Sequence, residues 1–179
     1  MQMAKRRVSI EPSDGMETTV DPTSGSREEQ ARDALRRFRV VFSTVKKHFQ
    51  DIESKCGVSG AQLWAVSEVA GLPGLRVSEL ARAMSVHQST ASNLVGELER
   101  KGLVRKERGA DQRVVRLYLT EQGNELVARA PKPMMGVLPD ALQRLPDDVL
   151  NSLTTNMDML IAIMQLKDET AATKPLSDI

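Results

Sequence analysis

The sequence predicts a mainly α-helical chain with one small β-hairpin. Three observations carry that expectation. Aromatic side chains make up only 3% of the 179 residues while apolar residues reach 40%. The core must therefore be aliphatic and methionine-rich, a composition that suits helices better than stacked sheets. Apolar side chains recur at alternating steps of three and four near both ends of the chain. Between Leu103 and Leu119 the period switches to two, across the turn-forming stretch Gly109-Ala110-Asp111-Gln112.

The elements follow in order. Residues 1–26 are rich in Ser, Thr, Pro, Gly and Asp without an apolar period, and read as a flexible N-terminal arm. A long helix is expected from Ser26, a capping residue followed by Glu28 and Glu29, where the helix dipole favours negative charge. Ala31, Leu35, Phe38, Phe42, Val45, Phe49 and Ile52 form its a/d seam, which needs another apolar surface beside it. Gly57-Val58-Ser59-Gly60 breaks the pattern, and a second helix runs from about Ala61 to Ala70. A short third helix around Ser78–Met84 and a fourth over about Gln88–Lys101, stopped by Gly102, make a helix-turn-helix pair. Leu103–Arg108 and Val114–Leu119 are the two strands of the hairpin, so a wing follows the helix pair. Thr120 caps a fifth helix, which Pro131, Pro133 and Pro139 should kink or divide. Pro146-Asp147-Asp148 opens a last helix whose seam is Leu150, Leu153, Met157, Leu160 and Met164. Residues 168–179 read as a loose C-terminal tail.

Composition excludes several function classes. No run approaches the ~18 apolar residues of a membrane span, and a single cysteine, Cys56, cannot build a disulfide framework. Val8 to Val20 holds Glu11, Pro12, Asp14 and Glu17 where a secretory leader would be apolar, so the expectation is a soluble cytoplasmic protein. Two distant histidines and one cysteine supply no metal quartet, nucleophile elbow or phosphate-cradling glycine loop. No catalytic residue, metal ligand or cofactor is therefore assigned. The net charge of +1 hides an asymmetry. Residues 76–116 carry nine basic and five acidic side chains, whereas residues 117–179 carry five and nine. A basic middle third suits a polyanion, although a solvated charged face would show the same totals.

The fourth helix decides between those readings. Its inward stripe is Ala91, Leu94, Val95 and Leu98; the opposite stripe is Gln88, Ser89, Ser92, Asn93 and Gly96, with Thr90 beside it. An ordinary solvated face is rich in Glu and Lys, because those residues favour helix. Ser, Asn and Gly do not, so something other than helix stability places them here, whether capping of the first turn or a partner. A DNA major groove fits: Gln and Asn can bind adenine edges, Ser and Thr suit bases or phosphates, and Gly permits close backbone approach. The hairpin adds Arg105, Lys106, Arg108 and Arg113, with Arg108 and Arg113 flanking its tip, a shape that a narrow minor groove attracts.

The stretch Arg76 to Gly123 resembles the MarR family of winged-helix transcription regulators. The resemblance lies in Val77-Ser78-Glu79-Leu80-Ala81, in Gln88 through Val104, and in the wing residues Asp111-Gln112-Arg113 followed at fixed distance by Leu119-Thr120-Glu121-Gln122-Gly123. It extends by helix order over residues 27–167. It implies a winged helix-turn-helix lobe (61–119), a connecting helix (120–146) and a homodimer built from helices 27–56 and 147–167, in agreement with the two seams. It further implies a pseudo-palindromic double-stranded operator, and repression released by a small aromatic acid or phenol, or by thiol oxidation. Two positions depart from the family: His87 and Arg76 stand where Ser or Thr usually caps the fourth and third helices. Cys56 misses the family's peroxide-sensing position and reads as a structural thiol. Effectors of the family bind between the dimer base and the DNA-binding lobe, which makes Arg39, Lys46, His48, Trp64 and Met134 the candidates here. The competing function is a winged helix that binds only protein; RNA is disfavoured because its A-form major groove would not admit the fourth helix.

Overall fold

The computed structural model describes residues 26–108, 114–164 and 168–178. The elements are α1 (Arg27–Cys56), α2 (Gly60–Gly71), β1 (Leu75–Arg76), α3 (Val77–Ala83), α4 (Gln88–Arg100), β2 (Val104–Arg108), β3 (Val115–Leu119), α5 (Glu121–Arg129), α6 (Val137–Gln143) and α7 (Asp147–Ile163), followed by two 3-10 turns, Glu169–Thr173 and Leu176–Asp178. The chain divides between Arg37 and Phe38 into two compact units. In the first, Ser26 and Glu29 cap the start of α1 reciprocally, the Ser26 N–H donating to Glu29 Oε2 at 2.9 Å and the Glu29 N–H to Ser26 Oγ at 3.3 Å. Arg32 pairs with Glu28, and Arg36 and Arg37 with Asp33, along the exposed helix surface.

The second unit holds the core. Ile52 of α1, Leu63 of α2, Leu80 of α3, Leu98 of α4, Leu117 of β3 and Leu126 of α5 are all buried in one cluster. Cys56 is buried in the same cluster. A Ser59/Gln62 capping box starts α2. Gln62 is itself buried, and its amide is satisfied by donating to Glu97 Oε2 at 2.7 Å and accepting from Lys101 Nζ at 3.0 Å. Lys101 Nζ also donates to the Gly57 carbonyl at 2.9 Å, so the start of α2 is tied to the end of α4.

The turn between α3 and α4 runs through Ser85 with φ +54, and Val86 N–H returns to Ala81 O at 2.9 Å. At the other end of α4, Gly102 takes φ +70. Its N–H bonds Glu99 O at 2.9 Å and Leu103 N–H bonds Leu98 O at 2.9 Å, a Schellman closure that requires the left-handed residue. The wing carries one strand more than the sequence reading expects. The two-residue β1 pairs with β3, giving the antiparallel order β1-β3-β2 with Leu75 opposite Leu117 and Arg76 opposite Arg116. A strand of two residues has no period to read.

The Leu-Thr-x-x-Gly motif has a mechanical role. Thr120 Oγ1 accepts the Gly123 N–H at 3.1 Å, capping α5, and donates to Gly102 O at 2.5 Å. Thr120 N–H donates to Leu103 O at 3.1 Å. A Cβ on Gly123 would overlap that same carbonyl oxygen. The prolines divide the next segment into two helices: α5 ends before Pro131, and Pro139 sits in the first turn of α6, where its missing N–H costs nothing.

The expectation of a loose tail over 168–179 is corrected. Pro175 is buried, the Ala61 N–H at the start of α2 donates to Ser177 Oγ at 3.3 Å, and Pro175 and Leu176 line a cleft with Phe49, Trp64 and Met135. These contacts use isolated Pro, Leu and Ser side chains, which leave no repeating signal in a sequence. At the start of the first 3-10 turn the Thr170 hydroxyl bonds Asp168 and, with Lys174 beside it, holds that carboxyl below its ordinary value. The resulting stabilisation is present above the unfolded-state value and fades as pH falls through the lower folded one.

Gly123→Ala should cost about 2–3 kcal/mol, because the new methyl group must push α5 away from the wing's first residue; thermal unfolding measures it. Deleting residues 168–179 should wet the Trp64 side of the cleft, and the emission of this single tryptophan should shift to the red.

Candidate nucleic-acid interface

The two faces of α4 follow from its 3.6-residue period. Ala91, Leu94, Val95 and Leu98 are buried, while Gln88, Ser89, Ser92 and Asn93 are exposed and Thr90 and Gly96 are half-buried. A Cβ on Gly96 would meet nothing, so packing does not demand a glycine there. His87 occupies the N-cap position without a side-chain capping bond. The exposed stripe divides between two grooves. Gln88 and Ser92 border one with Arg76, Ser78 and Val115. Thr90 and Asn93 border another with Ser59 and Gln62, near the start of α2.

On the hairpin, cross-strand pairing sets which cations share a face. Lys106 lies opposite Leu117, and Arg105 opposite Tyr118. Lys106 Nζ reaches back to Glu99 Oε2 of α4 at 2.8 Å, clasping the wing to the helix. Arg105 pairs with Glu107 and lays its guanidinium over the Tyr118 ring, 5.0 Å from the centroid. Arg108 ends β2 and is exposed; Arg113 lies outside the described residues. Two of the cations expected at a polyanion are thus engaged by carboxylates of the chain itself. These pairs are solvent-exposed and contribute about 0–1 kcal/mol each, so a phosphate can take over either cation at small cost. Glu99, Glu107 and Tyr118 were not expected as partners: Tyr118 meets Arg105 through the strand register, Glu99 meets Lys106 through the packing of α4 beside β2, and Glu107 is the same-face neighbour of Arg105 on β2.

The effector candidates do not all come together. Trp64 is half-buried, lines the cleft closed by Pro175 and Leu176, and donates its Nε1–H to Glu68 Oε1 at 2.7 Å. Met134 packs on the core, but its neighbour Met135 is the residue that reaches the cleft. His48 Nε2 lies 3.2 Å from the carbonyl of Pro133, just before Met134. Arg39 and Lys46 are exposed on α1, one helical repeat of seven residues apart, and neither lines the Trp64 cleft. Phe49 stands against the same wall and adds a second aromatic side chain that the candidate set did not include. Among the described residues there is no cluster of three or more His, Cys, Asp or Glu able to hold a metal ion, and no helix is long and apolar enough to cross a membrane.

Residues 57–113, from the approach to α2 through α3, α4 and the hairpin, match the MarR family model. The chain is 31% identical over 87 residues to the HTH-type transcriptional repressor MdtR of Bacillus subtilis; the match covers 48% of this chain and 56% of that repressor's length. It is 32% identical over 114 residues to a transcriptional regulatory protein for the hcr operon of Thauera aromatica, covering 63% of this chain and 68% of that protein. Among solved structures, it resembles Sco3205, a MarR family transcriptional regulator from Streptomyces coelicolor determined in complex with DNA. That likeness has a TM-score of 0.53 at 24% identity and covers 82% of this chain and 94% of the other. The fold of another MarR family regulator, SP03579, matches with a TM-score of 0.51 at 18% identity over 74% of this chain and 89% of the other. A three-stranded wing, a helix-turn-helix pair and these matches converge, and the chain belongs to the MarR family of transcriptional regulators.

Proposed function

We propose that this regulator binds double-stranded DNA sequence-specifically, as a homodimeric repressor on a pseudo-palindromic operator. The observation that carries the reading is the exposed Gln88, Ser89, Ser92, Asn93 stripe of α4, uncharged and hydrogen-bonding, beside an arginine-bearing hairpin. The repressor MdtR and the DNA complex of Sco3205 support it from the side of the relatives. Phosphate contacts from Arg105, Lys106, Arg108 and Arg113 supply salt-sensitive affinity, and Gln88, Ser89, Thr90, Ser92 and Asn93 supply base choice.

Dimerisation is supported by apolar seams that the single chain leaves open. Phe42 of α1 is 70% exposed and Ile163 of α7 is 79% exposed, with Leu153, Leu160 and Met164 also uncovered. Surfaces of this kind mark protein contacts. A dimer closed on α1 and α7 would hold two α4 helices about one DNA turn apart, ~34–36 Å. For the effector, the Phe49–Trp64–Met135 wall suits the ring of a small planar aromatic acid; His48, next to Phe49 on α1, is the candidate hydrogen-bond partner for its carboxylate, whereas Arg39 and Lys46 stand away from that cleft. An effector that favours a dimer with misplaced lobes releases DNA, and DNA weakens effector binding by the same factor.

A mobility-shift titration tests the reading: the wild-type protein should retard a duplex selected from a random pool, whereas a protein-only module gives no shift even at low salt. Asn93→Ala should relax preference at one or two operator positions by about 1–3 kcal/mol, seen as a changed selection profile. Phe42→Glu combined with Leu153→Glu should leave monomers by light scattering at concentrations where the wild type is dimeric.

A further inference from the structure

We propose that Arg76 binds a backbone phosphate of the duplex whose bases face Gln88 and Ser92, an inference that rests on the DNA-binding reading above. Arg76 occupies the N-cap position of α3, with φ −87 and ψ 155. Helices start there on Ser, Thr, Asp or Asn because the side chain must accept a hydrogen bond, which a guanidinium cannot do. The helix start is instead held from the other side, by Glu79 Oε2 accepting the Arg76 N–H at 2.8 Å. Nothing in α3 therefore uses the Arg76 guanidinium, which is exposed and makes no ion pair among the described residues.

Its neighbours make the site electropositive. Arg76 is the ladder partner of Arg116, and like charges directly opposite one another on a sheet repel. On the far side of Arg116 lies Glu107, which Arg105 already engages. Arg116 turns one nitrogen, Nη1, to the Gly74 carbonyl at 3.2 Å. This side of the three-stranded sheet thus carries three guanidinium groups against one carboxylate. An anion would relieve that repulsion.

The position of Arg76 says which anion. It borders, with Ser78, the same groove as Gln88 and Ser92 of α4. A duplex laying base edges on Gln88 and Ser92 carries its sugar-phosphate chain along the opposite wall of that groove. A guanidinium can bind a phosphodiester there through two N–H groups, and the Ser78 hydroxyl can add a third donor.

The test compares Arg76→Ser and Arg76→Lys with the wild type on two probes, a duplex selected from a random pool by the wild type and an unselected duplex of equal length. Arg76→Ser installs a preferred N-cap residue, so folding is retained. It should weaken both probes about 5–10-fold near 0.1 M salt and lower the slope of log affinity against log salt by about one, with the selection profile unchanged. Arg76→Lys should restore the slope and part of the affinity. Unchanged affinity and slope in Arg76→Ser, with the wild type binding normally, overturns this proposal alone. A changed selection profile also overturns it, because the side chain would then read a base. A wild-type protein that binds neither probe overturns the DNA-binding reading as well.

Discussion

The geometry of the interface depends on one junction. The C-terminus of α4, the first residue of the wing and the first turn of α5 meet at Gly102, Leu103, Thr120 and Gly123. The Leu103 carbonyl accepts from Thr120 N–H, the Thr120 hydroxyl spans Gly102 O and Gly123 N–H, and the bare Cα of Gly123 lets α5 approach. Each bond is a modest one, on the order of 1 kcal/mol. Together they join the polar helix and the hairpin at their root. A second tie, Lys106 to Glu99, lies further along the wing but is exposed and easily exchanged. The part-buried junction therefore ties helix to wing more firmly than the exposed surface pair does.

Much of the architecture was legible because it rests on periods. The inward and outward faces of α4, the heptad seams of α1 and α7, and the alternation of the hairpin each repeat often enough to be read. The Leu119-Thr120-x-x-Gly123 spacing was legible as a resemblance, and the structure supplies its physical reason. What escaped reading has no repeat. Strand β1 is two residues long, and Pro175 and Ser177 dock through isolated side chains outside any repeat. Glu99 escaped because it meets Lys106 only through the packing of α4 beside β2, whereas Glu107, two residues from Arg105 on one face of β2, follows from the strand period. Phe49 was read as a seam residue and stands instead at the cleft wall beside Trp64, because α1 begins to enter the core within its last turns.

Departures from a family's usual residues divide into two kinds here. His87 replaces a capping side chain at the start of α4 and receives no substitute bond. Arg76 replaces one at the start of α3, where Glu79 supplies the reverse half of a capping box by accepting the Arg76 N–H. The first site simply forgoes a cap. The second leaves its guanidinium outside the helix, opposite Arg116 on the sheet.

The open seams of α1 and α7 carry a consequence for gene control. If two chains must close on each other before α4 and its twin can address adjacent grooves, the active species grows with the square of the free chain at low abundance. Occupancy of an operator then rises more steeply than protein number. A modest fall in cellular copy number would then lower occupancy more than in proportion.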